Sequence, residues 1–245
     1  MSLARLEKCT IYVGVAGWSI PARYQDEFPG AGSHLQRYAE RLSAVEINSS
    51  FQRHHRAQTY ARWAGSVPAH FRFSVKMPRA LTHEGELTAR ADVLDRFVEE
   101  VRGLADKLAV LLVQLPPKLA FDRRAASQFF KAVQRRLDVP LVCEPRHPTW
   151  GSVQANDLLV GHRIARVAAD PVPWPGAGEP GGWPGLVYFR WHGQPRKYYS
   201  DYGAACLAKL QAEVVAARAK QVWAIFDNTA HGHALGNALA TARRR

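Results

Sequence analysis

The chain has 245 residues, 47% of them hydrophobic, and its 33 Lys and Arg against 21 Asp and Glu give a formal net charge of +12. With that apolar content the chain can bury a sizeable core and disorder is not the default, and no run reaches the roughly 18 apolar residues of a membrane span. Three cysteines, Cys9, Cys143 and Cys206, odd in number and without a CxxC pair, argue against a disulfide framework or a zinc module and point to a reducing cytoplasm.

The opening MSLARLEKCTIYVGVAGW lacks the apolar core of a signal peptide. In chain order, short β-branched and aromatic runs then alternate with stretches of helical spacing. The pattern predicts strands over 11–16, 44–47, 71–75, 108–115, 141–143, 163–168, 186–189 and 221–226. Helices are predicted over 34–42, 57–64, 91–104, 123–137, 153–160, 203–219 and 232–242. Between the sixth and seventh strands, PVPWPGAGEPGGWPG (171–185) has Pro or Gly at ten of fifteen positions and cannot hold an ordinary helix. It reads as an interdomain linker or, preferably, as a loop over a barrel mouth packed by Trp174 and Trp183. Eight strands alternating with helices in about 250 residues predict an α/β fold, a TIM-like (β/α)8 barrel. The barrel is expected to form a single domain over 1–245, with the sixth helix replaced by the Pro/Gly-rich loop.

Alternate strand residues share a face. By parity Val142 points with Glu144, Ala44 with Glu46 and Asn48, Ser74 with Lys76, and Leu112 with Gln114. Arg166 and Ala168 point with Asp170, Tyr188 with Arg190 and His192, and Ala224 and Phe226 with Asn228. Seven strands thus end in a charged or amide side chain, and in a barrel such ends meet at one mouth. The segment LVCEPRH illustrates it, an apolar run stopping at Glu144 rather than at a turn residue.

The runs AGWS, VEINSSF, FSVKMPR with LTH, LLVQLPP, EPRH, YFRWHG and FDNTAHGHALGNAL resemble the YecE-like family, a domain of unknown function. The likeness runs in order over about 11–240 and departs at Gln52, where the family carries an aromatic. It implies a TIM-like barrel with no assigned reaction.

Glu46, Lys76, Glu144 and Asp170 are the candidate catalytic groups. Carboxylates in a barrel mouth serve as acid, base or metal ligand; Lys76 there could form a Schiff base, but Arg79 nearby and a carboxylate-rich ring favour a charge partner. Substrate-binding candidates are Trp18, Asn48, Arg79, Gln114, Arg146, His147, Arg190, His192, Asp227 and Asn228. Arg146 and Arg190 are suited to gripping phosphate bidentately. Gly232 opens the last helix where barrels seat phosphate. A divalent metal on Glu144 and Asp170 with His147, His192, His231 or His233 stays open, although HGH and THEGE lack zincin spacing.

The first reading is an enzyme acting on an anionic, phosphate-containing substrate, nucleic acid leading, with Glu144 or Asp170 activating water for hydrolysis. A second is a carbohydrate or acid enzyme with a Glu46/Glu144 pair. A third is a non-catalytic nucleic-acid-binding module using the basic surface. No protein partner and no membrane association are inferred. A dry, fully paired lattice of salt bridges at the mouth would retire every catalytic reading.

Overall fold

A computed structural model describes residues 9–243. The strands are β1 Thr10–Val15, β2 Ala44–Ile47, β3 Arg72–Lys76, β4 Leu108–Gln114, β5 Leu141–Glu144, β6 Ala165–Arg166, β7 Ala168–Asp170, β8 Gly181–Gly182, β9 Leu186–Trp191 and β10 Gln221–Phe226. The helices are α1 His34–Ala39, α2 Ala57–Gly65, α3 Arg79–Thr82, α4 Ala91–Val101, α5 Arg123–Gln134, α6 Val153–Gly161, α7 Ala204–Ala216 and α8 His233–Ala242. The alternation predicted from the sequence is therefore present, with α3 as an unpredicted single turn. Among these residues no helix is long and apolar enough to cross a membrane. The three cysteines are free.

One parallel run goes β2, β3, β4, β5, β6 and another goes β1, β10, β9, β7. Two seams close them into a TIM-like barrel. At the first, β6 and β7 are two halves of the sixth barrel strand, separated at Val167. At the second, the β1 and β2 backbones do not form a full ladder. The Tyr38 hydroxyl from α1 sits between them, accepting from the Val15 N–H and donating to the Ala44 carbonyl, both at 2.9 Å. A Cβ on Gly14 would lie 2.2 Å from that carbonyl oxygen, so only glycine permits the approach. Further along, Ala16 bridges to Glu46 and the Gly17 N–H donates to the Glu46 carbonyl at 2.9 Å, which closes the mouth end.

Removing this hydroxyl strands a buried donor and a buried acceptor, each costing about 1–3 kcal/mol. Tyr38→Phe is therefore expected to lower unfolding free energy by about 2 kcal/mol or more in urea titration, although the ring itself is retained. A change within a few tenths of a kcal/mol would show the seam is held elsewhere.

Inside the barrel, Ala44, Val110, Leu112, Val142, Ala165, Val167, Leu186, Tyr188, Trp223 and Ile225 form one buried cluster. The opposite strand faces pack against the helices in a larger one. This division settles parity, because residues in register across parallel strands point the same way.

The Pro/Gly-rich segment is not laid over the mouth. Gly181 and Gly182 pair antiparallel with Arg166 and Ala165, at the start of the sixth barrel strand, and the Trp183 N–H donates to the Ile164 carbonyl. The segment thus runs back down the outside, where a helix would otherwise lie. Trp174 is buried on the way, its indole N–H donating to the Pro145 carbonyl at 3.3 Å and the Arg166 guanidinium lying over its ring. Gly182, at φ +66°, is where a Cβ would strike the Ile164 carbonyl at 2.4 Å. The mouth is bordered instead by 192–202, pinned by Tyr198 N–H to the His192 carbonyl and Gly193 N–H to the Tyr202 hydroxyl.

Of the terminal basic cluster, Arg243 pairs with Glu27, while Arg244 and Arg245 lie outside the described residues.

Candidate functional site

Arg190, near the end of β9, sits at the centre of the mouth and is fully buried. Its Nη2 is 2.7 Å from Glu46 Oε1, and its Nε donates to Glu46 Oε2 at 3.0 Å. Nη1 donates to Glu144 Oε2 at 2.9 Å and to Gln114 Oε1 at 3.3 Å, and Nη2 lies 3.0 Å from Asp227 Oδ2. One guanidinium thus ties β2, β4, β5 and the end of β10 to β9. Such a planar fork with five donors can do this, whereas an ammonium cannot.

Around it the lattice continues. Tyr188 donates to Glu46 Oε2 or Ser74 Oγ, both at 2.9 Å. His192 lies between Asp227 Oδ2 at 3.0 Å and Glu144 Oε1 at 3.2 Å. Arg146 holds Glu144 Oε1 from Nε at 3.0 Å and Nη2 at 2.9 Å, and reaches the Tyr198 hydroxyl at 3.4 Å. Asn48 donates from its side-chain amide to Asp227 Oδ1 at 3.5 Å, and its own side-chain Oδ1 has no partner among the described residues. Burial alone would push the Glu144 carboxyl up, but Arg146, Arg190 and His192 outweigh it and hold it well below its usual value. Asp227 is lowered in the same contest by Arg190, His192 and Lys76.

Above this paired floor two lysines have no carboxylate partner among the described residues. The Lys76 ammonium, at the end of β3 on a residue 7% exposed, makes no hydrogen bond or ion pair among the described residues and lies 3.9 Å from the centroid of the Phe51 ring. Burial, aided by Arg190 and opposed by Glu46, Glu144 and Asp227, brings its pKa down to about 8. Lys197, half-buried over Tyr198, falls to about 8 through burial and Arg146, with Arg190 adding and Glu144 and Asp227 opposing. His83, edge-on to Phe51, falls to about 4 through burial and the charges of Lys76, Arg146 and Arg79, against Glu144. Glu46, Glu144 and Asp227 therefore face Arg190, Arg146, Lys76 and Lys197, an excess of positive charge before His192 is counted.

Of the predicted residues, Glu46, Lys76, Gln114, Glu144, Arg146, Arg190, His192, Asp227 and Asn48 meet here. Asp170 does not. Ala169 pairs with Arg190 and Asp170 with Trp191, so Asp170 faces the helices, accepting from Tyr202 at 2.7 Å and from Gln194. The same parity carries Arg166 outward, because the inward residues of this strand are Ala165, Val167 and Ala169. On β10 the inward residues are Trp223 and Ile225, so Asp227 belongs to the ring. Asn228 instead ties Asn237 of α8 at 2.9 Å to the Ser200 carbonyl at 3.0 Å. Arg79 is exposed and paired with Glu84. His147 caps the turn at Pro148, accepting from the Thr149 N–H. Trp18 packs edge-on against Trp63.

The histidines and carboxylates left open as metal ligands are not gathered as a set. His231 rests against Tyr199 and His233, and His233 faces Asp201 at 3.6 Å, beside the start of α8 where a phosphate was expected. Among the described residues no group of three His, Cys, Asp or Glu is gathered as a metal ion would require.

Comparison with known proteins gives a match over residues 12–245 to the family model described as Protein of unknown function DUF72. The chain belongs to the DUF72 family. It is 25% identical over 148 residues to UPF0759 protein YunF of Bacillus subtilis, a match covering 58% of this chain and 52% of that protein. With UPF0759 protein YecE of Escherichia coli it shares 26% over 106 residues, 43% of this chain and 38% of that one. The DUF72 chain thus spans about half the length of the first of these relatives and less of the second. A crystal structure of a DUF72 family protein from Enterococcus faecalis superposes with TM-score 0.81 at 24% identity, covering 96% of this chain and 94% of that one. One from Thermotoga maritima gives 0.77 at 23%, covering 96% and 98%. A sugar phosphate isomerase/epimerase from Parabacteroides distasonis gives 0.54 at 10%, covering 99% and 95%, a likeness of fold.

Five residues of the DUF72 mouth are not among those predicted from the sequence. Tyr188 was legible, sharing parity with Arg190 on the same strand. Phe51, His83, Lys197 and Tyr198 come from loops, where no periodicity aims a side chain, and only Phe51, His83 and Lys197 with Tyr198 in folded proximity reveal the cationic rim.

Proposed function

We propose that this chain binds an anionic, phosphate-bearing small molecule at the C-terminal mouth of its barrel and acts on it there. The observation that carries the reading is the cationic rim: Lys76 and Lys197 without carboxylate partners, beside Arg146, over carboxylates already neutralised by Arg190. An anion is the ligand that would relieve that excess, and a low-dielectric setting strengthens each contact. Nucleic acid is a weaker fit, because the rim cations cluster at one opening rather than along a stripe that tracks a backbone.

Hydrolysis through Glu144 draws little support. A carboxylate held well below its usual pKa by three cationic partners is a poor base. Asp170 lies outside the ring. The Glu46/Glu144 pair of a glycosidase also loses support, since Arg190 fills the space between the two carboxylates.

Inorganic sulfate is the probe, since it keeps its charge through neutral pH. At about 100 times its Kd it should stabilise the fold by about 2.7 kcal/mol in thermal unfolding. Lys197→Met and Arg146→Met should each weaken it by about tenfold or more, as a hydrogen bond to a charged group contributes about 1.5–3 kcal/mol. Affinity should be full below pH 8 and decline above it, as the two lysines with pKa about 8 lose their protons. Sulfate binding indifferent to both substitutions, or duplex DNA binding that survives them, would remove the reading.

A further inference from the structure

We propose that Lys76 is a carbonyl-condensing amine, forming a Schiff base with an aldehyde or ketone group of the phosphate-bearing substrate; the substrate class rests on the anion site proposed above. The inference begins with what Lys76 lacks. Three carboxylates stand in the same mouth, yet Arg190 and Arg146 hold Glu46 and Glu144, and Arg190 and His192 hold Asp227. The lysine is left with an aromatic face. A lysine buried to neutralise an acid would be found against one.

Its position suits attack on a bound molecule. It ends a barrel strand, so its backbone is fixed: the Lys76 carbonyl accepts from Ser50 Oγ at 2.7 Å. Phe51, whose ring lies 3.9 Å from the ammonium, separates it from a neighbouring cavity of about 230 Å³ that Phe51 lines with Ser50, Pro78 and Arg79 and that Lys76 itself does not line. Burial and the nearby guanidinium of Arg190 favour the neutral amine, which is the nucleophile, and outweigh the carboxylates, which favour the ammonium, as does the face of the Phe51 ring. The groups facing it are Arg190, Glu46, Glu144 and Asp227 from the other strands, and His83 across Phe51 from α3's end. At a pKa of about 8 a substantial fraction of Lys76 is neutral in mildly alkaline buffer, against very little of a lysine at the ordinary 10.5.

The step balances without a co-reactant. The ammonium form yields one proton to water and attacks the carbonyl carbon, so an N–C bond forms as the C=O π bond breaks. The carbinolamine oxygen is then protonated and leaves as water. Of the three hydrogens on the original ammonium, one remains on the iminium nitrogen and two are accounted for in the water released. The cationic iminium is an electron sink for the substrate carbon next to it, while Arg146 and Lys197 hold the phosphate.

The test is reductive trapping of the full-length protein with dihydroxyacetone phosphate and cyanoborohydride, read by peptide mass spectrometry. A single reduced adduct on Lys76 is expected, saturable in ketone, suppressed by sulfate, and absent from Lys76→Arg. Its rate should rise with pH about a midpoint near 8. Lys76→Met, which keeps the apolar stem over Phe51, serves as a second variant, and its fold is checked by near-ultraviolet circular dichroism. Adduct spread evenly over surface lysines, or none on Lys76 while sulfate still binds, overturns the amine and leaves the anion site standing. An adduct on Lys76 that forms equally fast from unphosphorylated dihydroxyacetone and ignores sulfate supports the amine and overturns the anion site.

Discussion

Arg190→Met is expected to leave a chain that scarcely holds its fold at neutral pH. Removing one partner of a buried ion pair costs about 3–5 kcal/mol. Here one side chain serves Glu46, Glu144 and Asp227 together. The whole stability of a domain is about 5–15 kcal/mol, so the loss takes most of it. The pH dependence has a sign of its own. In the native protein Glu144 and Asp227 are lowered, so their stabilisation is present above their unfolded pKa and lost as pH falls through the folded values. Without the guanidinium, burial meets less opposition, both carboxyls titrate higher, and protonation relieves the strain. The gap between native and variant protein in urea unfolding should therefore narrow from neutral pH toward about pH 4. A variant as stable as the native chain at neutral pH would show that the lattice is not what holds the mouth together.

Glu144→Gln should give the second largest change and separate two roles of one residue. The amide keeps the volume but ends the charge pairing with Arg146, Arg190 and His192. Arg190 still has Glu46 and Asp227, and Arg146 is partly open to water, so the expected loss is about 3 kcal/mol, the low end for a broken buried pair. Sulfate binding should move the other way, tightening by about tenfold, or 1.4 kcal/mol, because the floor loses a negative charge and the Arg146 fork is released. Lys76 should also titrate lower, since Glu144 is one of the carboxylates that raise it, and the midpoint for trapping should shift to lower pH. Calorimetric titration and the trapping profile read both effects. Weaker sulfate binding in this variant would mean that Glu144 positions the anion rather than opposing it.

Much of the fold was legible in the chain because the barrel is written in periodicity. Runs such as LAVLLVQ and QVWAIF are too short and too β-branched or aromatic for helices, and amphipathic stretches fill the gaps between them. Where a strand is regular, parity also aimed its terminal side chain correctly, as for Glu46, Lys76, Gln114, Glu144 and Arg190. It failed where a strand alternates among small residues. In Ala165 to Asp170 neither face is conspicuously larger, so local sequence does not reveal which one fills the barrel. On the last strand both faces are large and apolar, and Trp223 rather than Phe226 points inward.

By itself, then, the sequence determined the succession of strands and helices and the chemistry gathered at their ends, because backbone periodicity and side-chain type are local properties. Only the tertiary structure decided that Arg190 consumes the carboxylates, that Asp227 and not Asn228 or Asp170 joins them, and that Lys76 is left unpaired. Those outcomes depend on which of several opposite charges lie within hydrogen-bond reach, and that distance is set by the closure of the barrel, which brings Glu46 and Arg190 together across 144 residues.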